Sequence, residues 1–169
     1  YNMEFSPKEK FLLKNKYKNL SKNINTNDLS NGTTLIILPD HDIAFDLAKL
    51  FFEKAESEIT FLLKDSIVNF YPNEIISTCI QYSYNDMNSI GLPREVFIQK
   101  IQSHHFENMI DLNISFSRFG AYLTLLSSAK VRMGFNYDNS KKYYNVILDS
   151  NYQRDLSGTF KMIQQFINI

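Results

Sequence analysis

The sequence predicts an α/β protein with a doubly wound, mostly parallel sheet of about six strands and an extra N-terminal amphipathic helix. Between residues 33 and 149, short apolar and β-branched runs recur, as expected of strands covered on both faces. Segments with apolar residues at helical spacing, or short helical turns, separate these runs. Strands that alternate with helices in this way are typical of a doubly wound sheet. The 169 residues suffice for one domain with a full-sized core.

The composition indicates a folded protein with little net charge. Apolar residues make up 44% of the chain and aromatic residues 14%, which excludes a disordered polymer. Lys plus Arg and Asp plus Glu both number 18, so we expect no general nucleic-acid binding. Cys79 is the only cysteine and there are three histidines, which argues against a disulfide and a zinc site. We therefore expect no metal, no cofactor and a cytoplasmic location.

Residues 1–32 are predicted to be a basic amphipathic helix and a linker, ahead of an α/β domain over residues 33–169. Ser6, Pro7 and Glu9 occupy N-cap, first-turn and capping-box positions. Up to residue 22 there are six lysines and two glutamates, a local charge of +4. An apolar stripe runs along the helix at Leu13, Tyr17, Leu20 and Ile24. The helix either packs on the domain or docks onto a protein partner, a second copy or the inner face of a membrane.

The strands of the domain are predicted from apolar and β-branched runs. The six predicted strands span residues 33–38, 58–64, 74–82, 108–112, 130–135 and 143–149.

Helices are predicted between these strands from apolar residues at helical spacing, and a short helical turn is predicted to end at Pro72. Three sets of side chains are expected to face the sheet: Val96, Phe97 and Ile101; Phe119, Tyr122, Leu123 and Leu126; and Phe160, Ile163 and Ile167.

The polar segment "DLNISFSR", residues 111–118, is the candidate ligand site. It follows a predicted strand, and open α/β sheets bind ligands at the carboxyl ends of their strands. Asp111, Asn113, Ser115 and Arg118, with an Asn cap at the next helix, suit phosphate groups or sugar hydroxyls. Capping and core placement are the alternative. The chain has no GxGxxG or Walker A motif to bind a dinucleotide or ATP.

The stretch "MIDLNISFSRFGAYLTLLSSAKVRMGF", residues 109–135, resembles the family-9 glycosyltransferases, the ADP-heptose:lipopolysaccharide heptosyltransferase group. The positions that match best are Asp111, Leu112, Ala129, Arg132 and Gly134. A weaker likeness extends over residues 33–169. It implies the Rossmann-like half of a two-domain GT-B enzyme of the bacterial cell envelope, with a role in lipopolysaccharide biosynthesis.

The resemblance also implies roles for two aspartates in "LPDHDIAF". The family has a catalytic Asp after its first strand, usually in a Gly-Asp pair, and Asp42 stands there as the base for the acceptor hydroxyl. His41 replaces the glycine, which departs from the family pattern. Asp40 is expected to contact the ligand. Either aspartate could instead cap the helix.

Two functions follow from the resemblance, with a nucleotide sugar or phosphosugar as the expected ligand. The family binds its donor mainly through a C-terminal half, and only one domain is predicted here, so the sequence is expected to be a small stand-alone protein that uses half of the fold, or else a fragment. The first function is a stand-alone, non-catalytic binding or scaffolding module. The second is the acceptor-side domain of a glycosyltransferase for hexosyl or heptosyl transfer that needs a second half or a partner. A flavodoxin-like or receiver-like domain is not supported, because only Asp40, Asp42 and Asp111 suggest an acidic cluster.

Overall fold

The computed structural model describes residues 32–40, 43–55 and 57–169, together with the isolated Pro7. It shows a six-stranded, all-parallel sheet flanked by helices, with the strand order β3-β2-β1-β4-β5-β6. This order is Rossmann-like, since the chain builds outwards from β1 on one side and then restarts at β4 on the other. The predicted fold class is confirmed. The predicted N-terminal helix and linker fall almost entirely outside the described residues.

The strands and helices are short and evenly spaced along the chain. The strands are β1 (Thr34–Ile37), β2 (Ile59–Lys64), β3 (Cys79–Tyr82), β4 (Asn108–Asp111), β5 (Val131–Phe135) and β6 (Val146–Leu148). The α-helices are α1 (Phe45–Lys54), α2 (Asn73–Ile76), α3 (Glu95–Ser103), α4 (Arg118–Leu126) and α5 (Leu156–Gln164). Short 3-10 helices cover Asp65–Phe70, Tyr84–Asp86 and Ser140–Lys142. None of the helices in the described ranges is long and apolar enough to cross a membrane.

Helices α1 and α5 cover one face of the sheet. Phe51 and Phe160 meet edge to face there, with ring centroids 5.2 Å apart. The sheet contributes Ile36, Ile110 and Met133, all fully buried. Each such aliphatic or aromatic side chain stabilises the fold by about 1.5–3 kcal/mol when it leaves water, so this face is a major part of the core.

Helices α3 and α4 cover the opposite face. Phe97 of α3 and Phe119 of α4 pack with Ile37 and Met109 of the central strands. Toward β5 and β6, α4 also packs against Tyr143 and Tyr144. Both faces of the central strands are therefore covered, which explains why their sequences read as continuous apolar runs.

The predicted strand over residues 74–82 is wrong in its first half. Residues Asn73–Ile76 form α2, and the strand begins only at Cys79. The carbonyl of Pro72 accepts hydrogen bonds from the backbone N–H groups of Ile75 and Ile76 at 3.0 and 3.1 Å, which closes a helical turn. The prediction failed because the periodicity of a short apolar run does not distinguish a short buried helix from a strand.

The predicted inward-facing side chains are confirmed with two exceptions. Val96 is 78% exposed, because the buried stripe of α3 is Phe97, Ile98 and Ile101 and the residue before Phe97 points about 100° away. Leu126 is only half-buried, at the end of α4. Side chains that are buried as predicted are Phe119, Tyr122, Leu123, Phe160, Ile163 and Ile167.

Candidate functional site

The candidate site is the crevice between the segments that follow β1 and β4. These two strands lie side by side in register, with Ile37 opposite Asp111, so both segments leave the sheet at the same level. The segment after β1 leads to α1 on one face and the segment after β4 leads to α4 on the other. The two connections part at this point, and the crevice outside such a switch point is the usual ligand site of open α/β sheets.

Two side chains from the β4–α4 segment hold Asp40 in this crevice. The backbone N–H of Asp40 donates to Asn113 Oδ1 at 3.2 Å, and Ser117 Oγ donates to Asp40 Oδ2 at 3.2 Å. Asp40 itself is half-buried, while Asn113 and Ser117 are buried. The crevice therefore presents one fixed carboxylate whose partners come from the neighbouring strand.

Asp111 lies directly beneath this pair and is fully buried. Its Oδ1 accepts hydrogen bonds from the backbone N–H of Asn113 at 3.0 Å and from Asn113 Nδ2 at 2.7 Å. Its Oδ2 accepts from the hydroxyl of Tyr144 at 2.7 Å, and Tyr137 donates its hydroxyl to Tyr144 at 2.9 Å. Asp111 thus orients Asn113 from below and does not reach the crevice surface.

The environment of Asp111 changes its acidity. Burial raises the pKa of this carboxyl to about 6 from 3.8, against the hydrogen bonds from Tyr144 and Asn113, which act in the opposite direction. The nearby charge of Asp40 adds to the rise. Burial disfavours the charged form of an acid because water no longer solvates it. Asp111 consequently changes its charge close to neutral pH.

Two glycines make room for Asp111 and Tyr144. A Cβ atom on Gly120 of α4 would lie 2.6 Å from Asp111 Oδ2, closer than real Cβ atoms approach an oxygen. A Cβ on Gly134 of β5 would collide with the ring of Tyr144. The absence of a side chain at these positions lets α4 settle on Asp111 and lets the tyrosine ring cross β5 to reach it.

The N-terminus of α4 is capped by Ser117, not by the predicted asparagine. Ser117 Oγ accepts from the backbone N–H of Gly120 at 3.2 Å while it donates to Asp40. A hydroxyl can do both because it carries one donor and two acceptor lone pairs. Asn113 instead bridges Asp111 and Asp40.

The other predicted site residues are placed differently. Ser115 is exposed. Arg118 Nη1 donates to the backbone carbonyl of Ile90 at 3.0 Å, so the guanidinium binds the segment between β3 and α3. The predicted base, Asp42, lies outside the described residues. The structure therefore brings together Asp40, Asp111 and Asn113 out of the predicted set.

The N-terminus of α1 is not capped by Asp40. Ala44 occupies the N-cap position without a side-chain hydrogen bond, and its backbone N–H donates to the hydroxyl of Tyr71 at 3.2 Å. Asp40 is therefore available to the crevice.

The β2 and β3 ends add an aromatic and a basic group that sequence reasoning missed. Lys64 and Tyr82 are paired in register at the carboxyl ends of β2 and β3. The ring of Tyr82 stacks on Phe119 with centroids 4.2 Å apart. Burial strongly raises the pKa of the Tyr82 phenol, and the charges of Asp40 and Asp111 raise it further. The phenol therefore lies in the electric field of the crevice carboxylates.

The chemistry of the crevice is that of a hydrogen-bond acceptor. A half-buried carboxylate binds hydroxyl or amine donors and disfavours a phosphate group in direct contact with it. No group of three His, Cys, Asp or Glu side chains in the described ranges is arranged to hold a metal ion. His104 and His105 are both exposed.

No family model, curated protein or solved structure matches this chain, so its own geometry is the basis for assigning a function to the crevice.

Proposed function

We propose that this protein is a non-catalytic binding module that holds a hydroxyl-rich small molecule, of the sugar class, in the crevice between β1 and β4. The observation that carries the proposal is the fixed carboxylate of Asp40. Ser117 occupies its Oδ2, and the hydrogen bonds of the described residues leave Oδ1 available to a ligand. An ionised carboxylate oxygen forms charge-assisted hydrogen bonds with sugar hydroxyls, which are roughly twice as strong as neutral ones.

An exposed aromatic ring beside the crevice supports a sugar ligand. Tyr84, just after β3, is 73% exposed. Aromatic rings present an apolar face together with a polar tip, which suits the C–H face and the hydroxyls of a sugar ring. The combination of an oriented acceptor and an exposed ring favours a sugar over a purely apolar ligand.

The proposal includes a relationship to the acceptor-side half of the family-9 glycosyltransferases. Its support is the Rossmann-like strand order and the Asp111-Leu112 pair at the end of β4. Gly134, another residue of the resemblance, leaves the space that the Tyr144 ring fills. On this proposal the ligand is a sugar or phosphosugar of the bacterial cell envelope, bound on the cytoplasmic side.

The test is a binding titration with a panel of uncharged methyl hexosides and heptosides, followed by NMR of the whole chain. We expect Asp40→Asn to weaken binding about 10-fold, because loss of one charge-assisted hydrogen bond corresponds to about 1.4 kcal/mol. Glu58→Gln is the control, since it also changes a carboxylate to an amide but lies exposed before β2, at the amino ends of the strands, opposite to the crevice. Failure of every sugar to bind, or equal affinity of Asp40→Asn and the wild type, would refute the proposal.

The alternative, an acceptor-side domain that works with a donor-binding partner, makes a different prediction. It requires Asp42 as the base, so turnover in the presence of such a partner should disappear in Asp42→Ala while sugar binding remains.

A further inference from the structure

Lys64 is a buried lysine at the carboxyl end of β2. Only 6% of the residue is exposed, and its Nζ lies over the ring of Tyr84 at 4.6 Å from the centroid. Lysine is among the residues least often buried, and it is usually paired when it is. Its position at the end of an otherwise apolar strand therefore requires an explanation.

No ion pair in the described ranges includes Lys64. The ion pairs there are Lys49 with Glu53 and Lys130 with Glu107, and Lys64 takes part in neither. A cation over an aromatic ring contributes about 0.5–2 kcal/mol, which offsets only part of the cost of burying most of a charged side chain. An anion bound at Nζ would complete the compensation.

The position of Lys64 connects it to the crevice. The backbone N–H of Leu38 donates to the carbonyl of Leu62, so the β1–β2 pairing continues past the end of β1. Lys64 comes two residues after Leu62 and therefore stands level with the segment that carries Asp40. A ligand that contacts Asp40 can extend across β2 to the ammonium group, because neighbouring strands are only about 4.8 Å apart.

We propose that Lys64, with Tyr84 beside it, is the anion-binding subsite of this crevice and takes the phosphoryl group of a sugar phosphate. The sugar part of this ligand rests on the function proposed above, whereas the phosphoryl part rests on Lys64.

A phosphoryl group fits this subsite better than a carboxylate does. The ammonium group is a compact charge with three donors and matches a group that offers three acceptor oxygens. Lysine is a common phosphate ligand in proteins, where it acts as a point charge. The two nearby arginines donate to backbone carbonyls, Arg118 to Ile90 and Arg94 to Met87 at 2.7 Å.

The experiment compares three probes on the same protein: inorganic phosphate, a neutral methyl hexoside and a hexose 6-phosphate. Lys64→Met should weaken the binding of inorganic phosphate about 10-fold or more, because a charge-assisted contact is lost. The affinity for the neutral sugar should fall much less than the affinity for phosphate, because a neutral sugar makes no ion pair with Nζ. Lys64→Arg keeps the charge and should retain phosphate binding.

Lys54→Met is the matched control. Lys54 also lies over an aromatic ring, that of Phe160 at 5.8 Å, but it is exposed at the end of α1. Its replacement should not change phosphate binding. Circular dichroism and thermal unfolding show whether each variant is folded.

The outcomes separate the two proposals. Phosphate binding that depends on Lys64 without any binding of neutral sugars supports the subsite and refutes the sugar module. Binding of neutral sugars with no phosphate binding, or with equal phosphate affinity in the wild type and Lys64→Met, overturns the subsite. If Lys64→Met does not fold, phosphate must still shift the wild-type amide resonances of Lys64 and Tyr84, and the absence of such shifts also overturns it.

Discussion

At the scale of single residues, the crevice depends on a carboxyl group that no ligand can touch. Asp111 is fully buried and its two oxygens are occupied by Asn113 and Tyr144. It fixes the amide of Asn113, which in turn receives the N–H of Asp40. The carboxylate of Asp40 is thus supported by the buried carboxylate of Asp111 through Asn113. Such a supporting layer of hydrogen bonds keeps a binding group in one rotamer.

The raised pKa of Asp111 predicts a dependence of stability on pH. The folded state holds the proton up to about pH 6, whereas the unfolded chain releases it near 3.8. The stabilisation is therefore complete below pH 4 and is lost as the pH rises through about 6, with a total on the order of 3 kcal/mol for about two pKa units. Urea unfolding from pH 4 to 8 should show the stability of the wild type falling relative to that of Asp111→Asn.

Asp138→Asn serves as the control for this titration, because Asp138 is exposed. Its unfolding free energy should follow that of the wild type across the range. A constant difference between the wild type and Asp111→Asn at every pH would contradict the prediction.

Gly120 gives a second prediction at this scale. Alanine is the better helix former by about 1 kcal/mol. We nevertheless expect Gly120→Ala to destabilise the protein by about 1–3 kcal/mol, because the new Cβ would overlap Asp111 Oδ2 and force α4 to move. Chemical denaturation measures the change. In an Asp111→Ser background the penalty should shrink, and a penalty of the same size there would show that the contact with Asp111 is not its cause.

Part of the site could be predicted from sequence and part could not. Asp111 and Asn113 follow an apolar run, so their place at a strand end is a local property of the sequence. Tyr144 is 33 residues from Asp111 and lies just before β6, and its contact depends on the space above Gly134. Lys64 was overlooked because a single lysine at the end of a strand normally indicates the surface.

At the scale of elements, α4 connects the crevice to the core. Its N-cap Ser117 contacts Asp40, and its second and third turns contribute Leu123 and Leu125, which are almost fully buried. The apolar stripe of this helix was predictable because polar residues flank the helix at both ends in the sequence. Within residues 74–82 no glycine or proline marks where the helix ends and the strand begins. The first residues are helical because of the hydrogen bonds of α2, which the sequence pattern does not reveal.

We predict that Leu123→Ala lowers the free energy of unfolding by about 2–5 kcal/mol, because this fully buried side chain would leave a cavity between α4 and the sheet. Leu126→Ala, in the same helix but half-buried, should cost clearly less. Denaturant titrations of the two variants provide the comparison. Equal losses would mean that the register of α4 is not the one described.

At the scale of the whole molecule, the fold follows from the alternation of buried strands and amphipathic helices, which leaves few alternatives once all strands run parallel. The strand order places the ends of β1 and β4 together, and this brings Asp40 to Asn113 across 73 residues of chain. The location of the crevice was therefore predictable. The kind of ligand that the crevice binds was not predictable from the fold. In this architecture the same position can hold a carboxylate, which binds hydrogen-bond donors, or a glycine-rich loop, which binds phosphate.

We expect the purified protein not to transfer or hydrolyse a nucleotide sugar. Such a reaction needs positive charge on the leaving diphosphate. Among the described residues, Arg94 and Arg118 donate to backbone carbonyls, which leaves Lys64 as the one cation proposed for the crevice. A single lysine suits one phosphoryl group, and the carboxylate of Asp40 would repel a diphosphate. A nucleotide-release assay should give the same rate for the wild type and Asp42→Ala, with binding of a methyl hexoside as proof of folded protein. A wild-type rate above that of Asp42→Ala would assign an enzyme activity to the chain.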